Sequence, residues 1–156
     1  MGVDQLASEE LAFTAFYRRE FDAQVRRACV LLRSDAIAND VVHDAMLEVF
    51  ARWDRIREPG AYLNRAVLNH CRDLARRAET GRRAQARSTV ELVSPGPEPP
   101  LGALFDRLPF NQRAALVLRY YADLSIAEIA AALDCPQGSV GPWIDRALTA
   151  LREQLR

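Results

Sequence analysis

The stretch 125–152, "SIAEIAAALDCPQGSVGPWIDRALTALR", decides the fold. Ser125 and Glu128 stand three residues apart ahead of an apolar run. This is the capping-box pattern, in which a hydroxyl and a carboxylate each satisfy a first-turn amide. The helix it opens is expected to end near Leu133, and "DCPQG", 134–138, carries the Pro and Gly of a turn. Val140, Ile144, Ala147 and Leu148 then recur at helical spacing, with Ser139 as the expected N-cap. Two short helices joined by a tight turn make a helix-turn-helix, whose second helix typically enters the DNA major groove by its N-terminal residues. A purely structural helical hairpin has the same spacing, so the rest of the chain must arbitrate. The second helix is also unusual, because its first turn holds Gly141 and Pro142 and no basic residue precedes Arg146.

Upstream, "LGALFDRL", 101–108, reads as a short helix. "PFNQRAALVLRYYADL", 109–124, reads as another, with Pro109 at or near its first position. Four of the eight prolines fall in 95–100, within "ETGRRAQARSTVELVSPGPEPP", 79–100. Proline removes amide donors and biases the residue before it away from helix, so 79–100 reads as a linker. Arg82, Arg83 and Arg87 could extend the helix before it by a turn or two. That helix, about 61–79, has Tyr62, Leu63, Ala66, Val67, Cys71 and Leu74 on its apolar side. Before it come the loop "DRIREPG", 54–60, a helix reaching about Trp53, and a first helix over 8–32. "RSD", 33–35, separates the first two, with Ser34 or Asp35 as cap. No segment alternates as a strand does. The expected fold is all-α: two small helical domains, 8–78 and 101–156, joined by a flexible Pro-rich linker.

Of the 156 residues 49% are hydrophobic, enough for two small cores. No apolar run approaches the ~20 residues of a membrane span. "MGVDQLASEE" lacks the basic start and apolar stretch of a signal peptide, which predicts a cytoplasmic protein without membrane insertion. Three dispersed cysteines form no CxxC pair and suit a reducing compartment. With His43 and His70 they show no ligand spacing, so neither metal nor cofactor is expected. No nucleophile–base constellation or glycine-rich phosphate loop points to an enzyme.

Net charge is zero, which by itself argues against nucleic acid, but its distribution does not. Residues 1–60 carry 8 Arg against 11 acids, 61–90 carry 7 Arg against 2, and 91–156 carry 6 Arg against 8. All 21 positive side chains are arginine, a compositional trait with no functional reading. Within the basic block Arg65, Asn69, Arg72 and Arg76 fall on one helical stripe, beside Asp73 and Arg77. Guanidiniums in a row suit phosphates, and an Asn amide can bond a base edge. A solvated face reads the same way. Tyr62 and Trp53 suit either stacking on unpaired bases or the core. Asp40, Asp44 and Glu48 make an anionic stripe that would repel DNA and fits a basic protein partner, or water.

At these residues the chain resembles the extracytoplasmic-function (ECF) sigma factors of the sigma-70 family. "DVVHDAMLEVFARW", 40–53, resembles the helix with which that family grips the clamp helices of RNA polymerase. "AYLNRAVLNHCRDLARR", 61–77, is similar without gaps to its promoter-melting helix. "LPFNQRAALVLRYYADLSIAEIAAALDCPQGSVGPWIDRALTALR", 108–152, is similar to its second domain, which reads the minus-thirty-five element. The resemblance implies a subunit that binds core RNA polymerase and directs promoter-specific initiation. Its partners would be polymerase and promoter DNA, with room for an anti-sigma factor. It implies polymerase contacts at Asp40, Val41, Asp44, Leu47 and Glu48. Minus-ten contacts would come from Arg55, Tyr62, Arg65, Asn69, Arg72, Asp73, Arg76 and Arg77. Upstream contacts would come from Gln137, Ser139, Val140, Gly141, Trp143 and Arg146.

The departures are local. The family's reading helix usually begins Ser/Thr-Val-Lys-Ser, whereas Gly141 and Pro142 hold the Lys-Ser positions here. Trp143 and Asp145 follow, and Phe110 stands where a second proline is common. These put the strength of upstream reading in question. The alternative is a sigma-like regulator that binds polymerase or a protein partner but reads the upstream element weakly.

Overall fold

The computed structural model describes residues 2–88 and 101–155, with 82–88 and 101 described by their backbone alone. Every regular element among them is helical. The first half is α1 (Val3–Leu32), α2 (Asp35–Ala51) and α3 (Pro59–Ser88). The second is α4 (Leu101–Asp106), α5 (Phe110–Leu116), α6 (Ile126–Leu133) and α7 (Gln137–Gln154).

α2 shows why the first half folds. Ala38, Val41, Val42, Ala45, Met46 and Val49 are its buried residues, and their spacing of three and four draws one stripe along the helix. That stripe meets Phe16, Ala28 and Leu31 of α1 and Leu63, Val67 and Cys71 of α3. Each large aliphatic side chain so buried contributes about 1.5–3 kcal/mol of transfer free energy. The corner between α1 and α2 is tight. Arg33 takes a left-handed φ of 59° and its amide closes on the Cys29 carbonyl at 2.7 Å. Of the two expected caps, Ser34 is the one used: its hydroxyl accepts from the Ile37 amide at 3.3 Å.

Several boundaries differ from expectation. α1 begins at Val3, and α2 ends at Ala51, leaving Trp53 in the following turn. α3 continues to Ser88, so the first ten residues assigned to the linker are helical. The proline cluster 95–100 lies outside the described residues.

The helix expected over 109–124 is not regular. Pro109 is the N-cap of α5, and after Leu116 the backbone widens into a π-helical stretch, Val117–Tyr121. The Ala122 amide reaches back five residues to the Val117 carbonyl at 2.9 Å. Residues 113–118 are all buried, which no single helical stripe permits. They are covered all round because α7, α6 and α1 each pack against this segment. The widened turn leaves Tyr120 and Tyr121 exposed.

The helix-turn-helix is α6 and α7. Its capping box forms in both directions: Ser125 Oγ accepts from the Glu128 amide, and Glu128 Oε1 accepts from the Ser125 amide, each at 3.1 Å. α7 starts earlier than expected. Pro136 is its N-cap, so Ser139 lies inside the first turn and does not cap. Pro142 consequently sits in the helix interior rather than in the first turn.

Candidate nucleic-acid interface

α3 separates its two sides cleanly. Leu63, Ala66, Val67 and Cys71 are buried against α1 and α2. Arg65, Asn69, Asp73, Arg76 and Arg77 are exposed, and Arg72 is half-buried. Arg55, in the loop before α3, is exposed as well. The expected basic stripe therefore exists as a surface of the fold.

The start of α3 is held by polar contacts. Arg52 Nη1 donates to Tyr62 Oη at 3.0 Å, which fixes the phenol at the rim of the bundle. Asn64 Oδ1 accepts from Gln24 Nε2 at 2.5 Å and from Arg27 Nη1 at 3.3 Å. Gln24 is only 2% exposed, so this bond satisfies an amide in the core. Neither Arg52 nor the Gln24–Asn64 pair was among the expected site residues. The signal for the second was a Gln inside the apolar stripe of α1. Trp53 takes the core reading: it packs edge-on against Phe13 at 5.4 Å and lies 5.3 Å from Phe16. Those contacts place its ring in an aromatic cluster with α1.

The acidic face lies on α2. Asp40, Asp44 and Leu47 are exposed at i, i+4 and i+7, and Phe50 beside them is 51% exposed. Glu48 is partly engaged, with Oε1 2.8 Å from His70 Nε2 of α3. Val41 departs from the expected contact set. It is 5% exposed and belongs to the inward stripe of α2, so its side chain is not available to a partner.

On α7, Gln137 and Arg146 are exposed while Ser139, Gly141 and Trp143 are half-buried. Val140, expected to reach DNA, is fully buried, because it is the first inward residue of the stripe Val140, Ile144, Ala147. A Cβ at Gly138 or Gly141 would meet nothing within 4 Å, so the turn presents open backbone.

The two halves meet along α3, which packs on α6 and α5, and along α1, which packs on the π-helical stretch. Arg65 Nε donates to the Ala131 carbonyl at 3.4 Å. Arg72 Nη2 donates to Asn111 Oδ1 and to the Leu133 carbonyl, both at 3.3 Å, and its guanidinium lies 5.6 Å from the centre of the Phe110 ring. Beside this contact is a cleft of about 590 Å3 whose lining includes Arg72, Arg76, Phe110, Asn111 and Trp143. At the α1–α2 corner the Arg33 guanidinium packs directly on Gly102, where a side chain would have to displace it.

Residues 100–151 match the family described as Sigma-70, region 4. The chain is 32% identical over 159 residues to the RNA polymerase sigma-E factor of Streptomyces avermitilis, covering 94% of this chain and 87% of that one. It is 29% identical to the ECF RNA polymerase sigma factor SigM of Mycobacterium tuberculosis, covering 96% and 80%. Among solved structures, CnrH in complex with the cytosolic domain of CnrY superposes with a TM-score of 0.70 at 25% identity. That match covers 94% of this chain and 88% of the solved one.

Proposed function

The chain belongs to the ECF family of RNA polymerase sigma factors, and from that premise we propose how its surfaces divide the tasks of one. It is a regulatory protein that binds core RNA polymerase and directs promoter-specific transcription initiation. α2 grips polymerase through Asp40, Asp44 and Leu47, joined by Phe50 and by the partly engaged Glu48. α3 and the loop before it engage the minus-ten element through Arg55, Tyr62, Arg65, Asn69, Arg72, Asp73, Arg76 and Arg77. α7 approaches the minus-thirty-five element through Gln137, Ser139, Gly141, Trp143 and Arg146. The first half thus handles polymerase and strand opening and the second handles upstream DNA. The protein carries no bond-making chemistry of its own. An anti-sigma factor is a further proposed partner.

The observation that carries this reading is the separation of charge within one bundle. An acidic stripe bordered by exposed Leu47 and Phe50 lies on α2, and a basic stripe lies on α3. The first suits a basic protein surface, and the second suits phosphates. A weaker hold on upstream DNA is supported by α7, which has Gly141 and Pro142 at the positions where the family's reading helix usually has Lys and Ser.

The two stripes can be tested against each other. Asp40→Arg with Asp44→Arg is expected to weaken assembly with core polymerase by roughly tenfold or more, leaving the salt dependence of DNA binding as it was. Arg76→Ala and Arg77→Ala are each expected to reduce the slope of log affinity against log salt by about 0.7–0.9, leaving assembly unchanged. Normal assembly of the charge-reversed protein, with native circular dichroism, would refute the polymerase assignment. An unchanged salt slope in both Arg variants would refute the phosphate assignment.

A further inference from the structure

Tyr62 lies in the first turn of α3, and its side chain is tied to the residue that ends α2. Arg52, the C-cap of α2, donates from Nη1 to Tyr62 Oη at 3.0 Å. The backbone around Arg52 is fixed as well, because its carbonyl accepts from the amides of Arg55 at 2.9 Å and Ile56 at 3.1 Å. At the other end the Tyr62 amide bonds the Glu58 carbonyl at 3.1 Å. Between the two, Trp53 and Ile56 pack against the core. The Arg52–Tyr62 bond therefore closes the mouth of an anchored loop, 53–61, which presents Arg55 to solvent.

The chemistry of this bond has one direction. A guanidinium has five donors and no acceptor, so the phenol oxygen accepts. The phenol hydrogen is left to donate elsewhere, and among the described residues no acceptor is bonded to it. Tyr62 is half-buried and Arg52 is exposed, so water reaches the bond. It contributes little there, and it strengthens when a covering strand excludes water and lowers the local dielectric. Its effect therefore belongs to DNA binding more than to folding.

We infer that Arg52 is a positioning residue for promoter opening: it orients Tyr62 so that the phenol O–H donates to an acceptor on the edge of an unpaired minus-ten base. Arg52 acts through Tyr62 and touches no DNA itself. An unpaired base exposes ring nitrogens and carbonyl oxygens that its partner strand had covered, and a donor held ready for them offsets part of the cost of unstacking. The inference rests on the reading of α3 as the minus-ten helix. It requires that losing Arg52 and losing the phenol oxygen be one and the same loss.

The test is a double-mutant cycle in assembled holoenzyme, with Arg52→Ala, Tyr62→Phe and the two combined. The probes are a promoter selected by transcription in vitro from genomic fragments, kept closed at low temperature, and a forked template of the same sequence whose non-template minus-ten strand is unpaired. Each single variant should bind the fork roughly fivefold more weakly, the contribution of about one hydrogen bond, and bind the closed duplex like the parent. The combined variant should lose no more than Tyr62→Phe alone, and Arg52→Lys, which keeps a donor, should recover part of the loss. The salt slope on the fork should match the parent's, because no phosphate contact is removed. Losses that add in the combined variant would overturn the proposal, as would an equal loss on the closed duplex. A slope lowered by about 0.7–0.9 in Arg52→Ala would also overturn it, making Arg52 a phosphate contact. If Arg76→Ala and Arg77→Ala lower the slope while Tyr62→Phe binds the fork like the parent, the positioning role fails and the DNA reading of α3 stands. If all four single alanine and phenylalanine variants bind the fork like the parent with an unchanged slope, both fail together.

Discussion

At the scale of single residues, burial decides chemistry. Cys71 is fully buried between the helices of the first half, and that burial pushes its thiol from 9.0 up to about 12. Below pH 9 both folded and unfolded chains keep this proton. Between 9 and about 12 the unfolded chain releases it and the folded chain does not. The stability Cys71 contributes is therefore complete below pH 9 and falls as pH rises through that window, by about 1.4 kcal/mol per pH unit. Denaturant unfolding of the parent and of Cys71→Ala across this range should show it. The variant is less stable at neutral pH, because it leaves a cavity, but its stability should decline less steeply. Parallel declines would mean that the thiol does not titrate late. Val41 and Val140 teach the same lesson from the other side: both lie among candidate contact residues in the sequence, and both spend their side chains on the core.

Among the elements, α7 is the one whose sequence disagrees with its conformation. Pro142 lies inside the helix and has no amide to give the Gly138 carbonyl, and Gly141 beside it has a low helix propensity. The helix forms nonetheless, because Val140, Ile144 and Ala147 are buried in the core. Gly141→Lys with Pro142→Ser should therefore stabilise the fold by about 2 kcal/mol or more, read by denaturant unfolding. There is open space at residue 141 for the new side chain. If α7 reads DNA, the same protein should also bind upstream duplex more tightly and with a steeper salt dependence, because a phosphate contact is gained. A gain in stability without any change in duplex binding would leave α7 as a packing and protein-contact helix. The π-helical stretch after α5 shows the reverse relation. Its sequence is periodic enough for a plain helix, yet its backbone is π-helical where it packs against α1 and α6.

Across the whole molecule, the balance of charge is global and its separation is local. The net formal charge is zero and the pI is about 6.7, so long-range repulsion between copies vanishes close to neutrality. Turbidity and light scattering of the free protein should peak near pH 6.7 and fall on both sides. A flat profile would mean that the acidic and basic faces do not attract one another between molecules. No described helix is long and apolar enough to cross a membrane.

Local spacing together with cap, turn and proline residues was enough to read seven helical segments, the Ser125–Glu128 capping box and the sharing of charge between α2 and α3, though not the break of 109–124 into α5 and a π-helical stretch. Each of these rests on contacts within a turn or along one face of a helix, which spacing encodes directly. Other features depended on residues far apart in the chain. Burial of Val41 and Val140 depends on which side each helix turns to its neighbours, and the π-helical stretch after Leu116 lies where α1 and α6 pack against it. The bonds of Gln24 with Asn64, and of Arg65 and Arg72 with the end of α6, join residues roughly forty to seventy positions apart. An arginine stripe has the same sequence whether it faces water, phosphate or a helix end. Only the packed fold decided which, because a carbonyl at the end of α6 becomes a partner only where the tertiary structure brings it within reach.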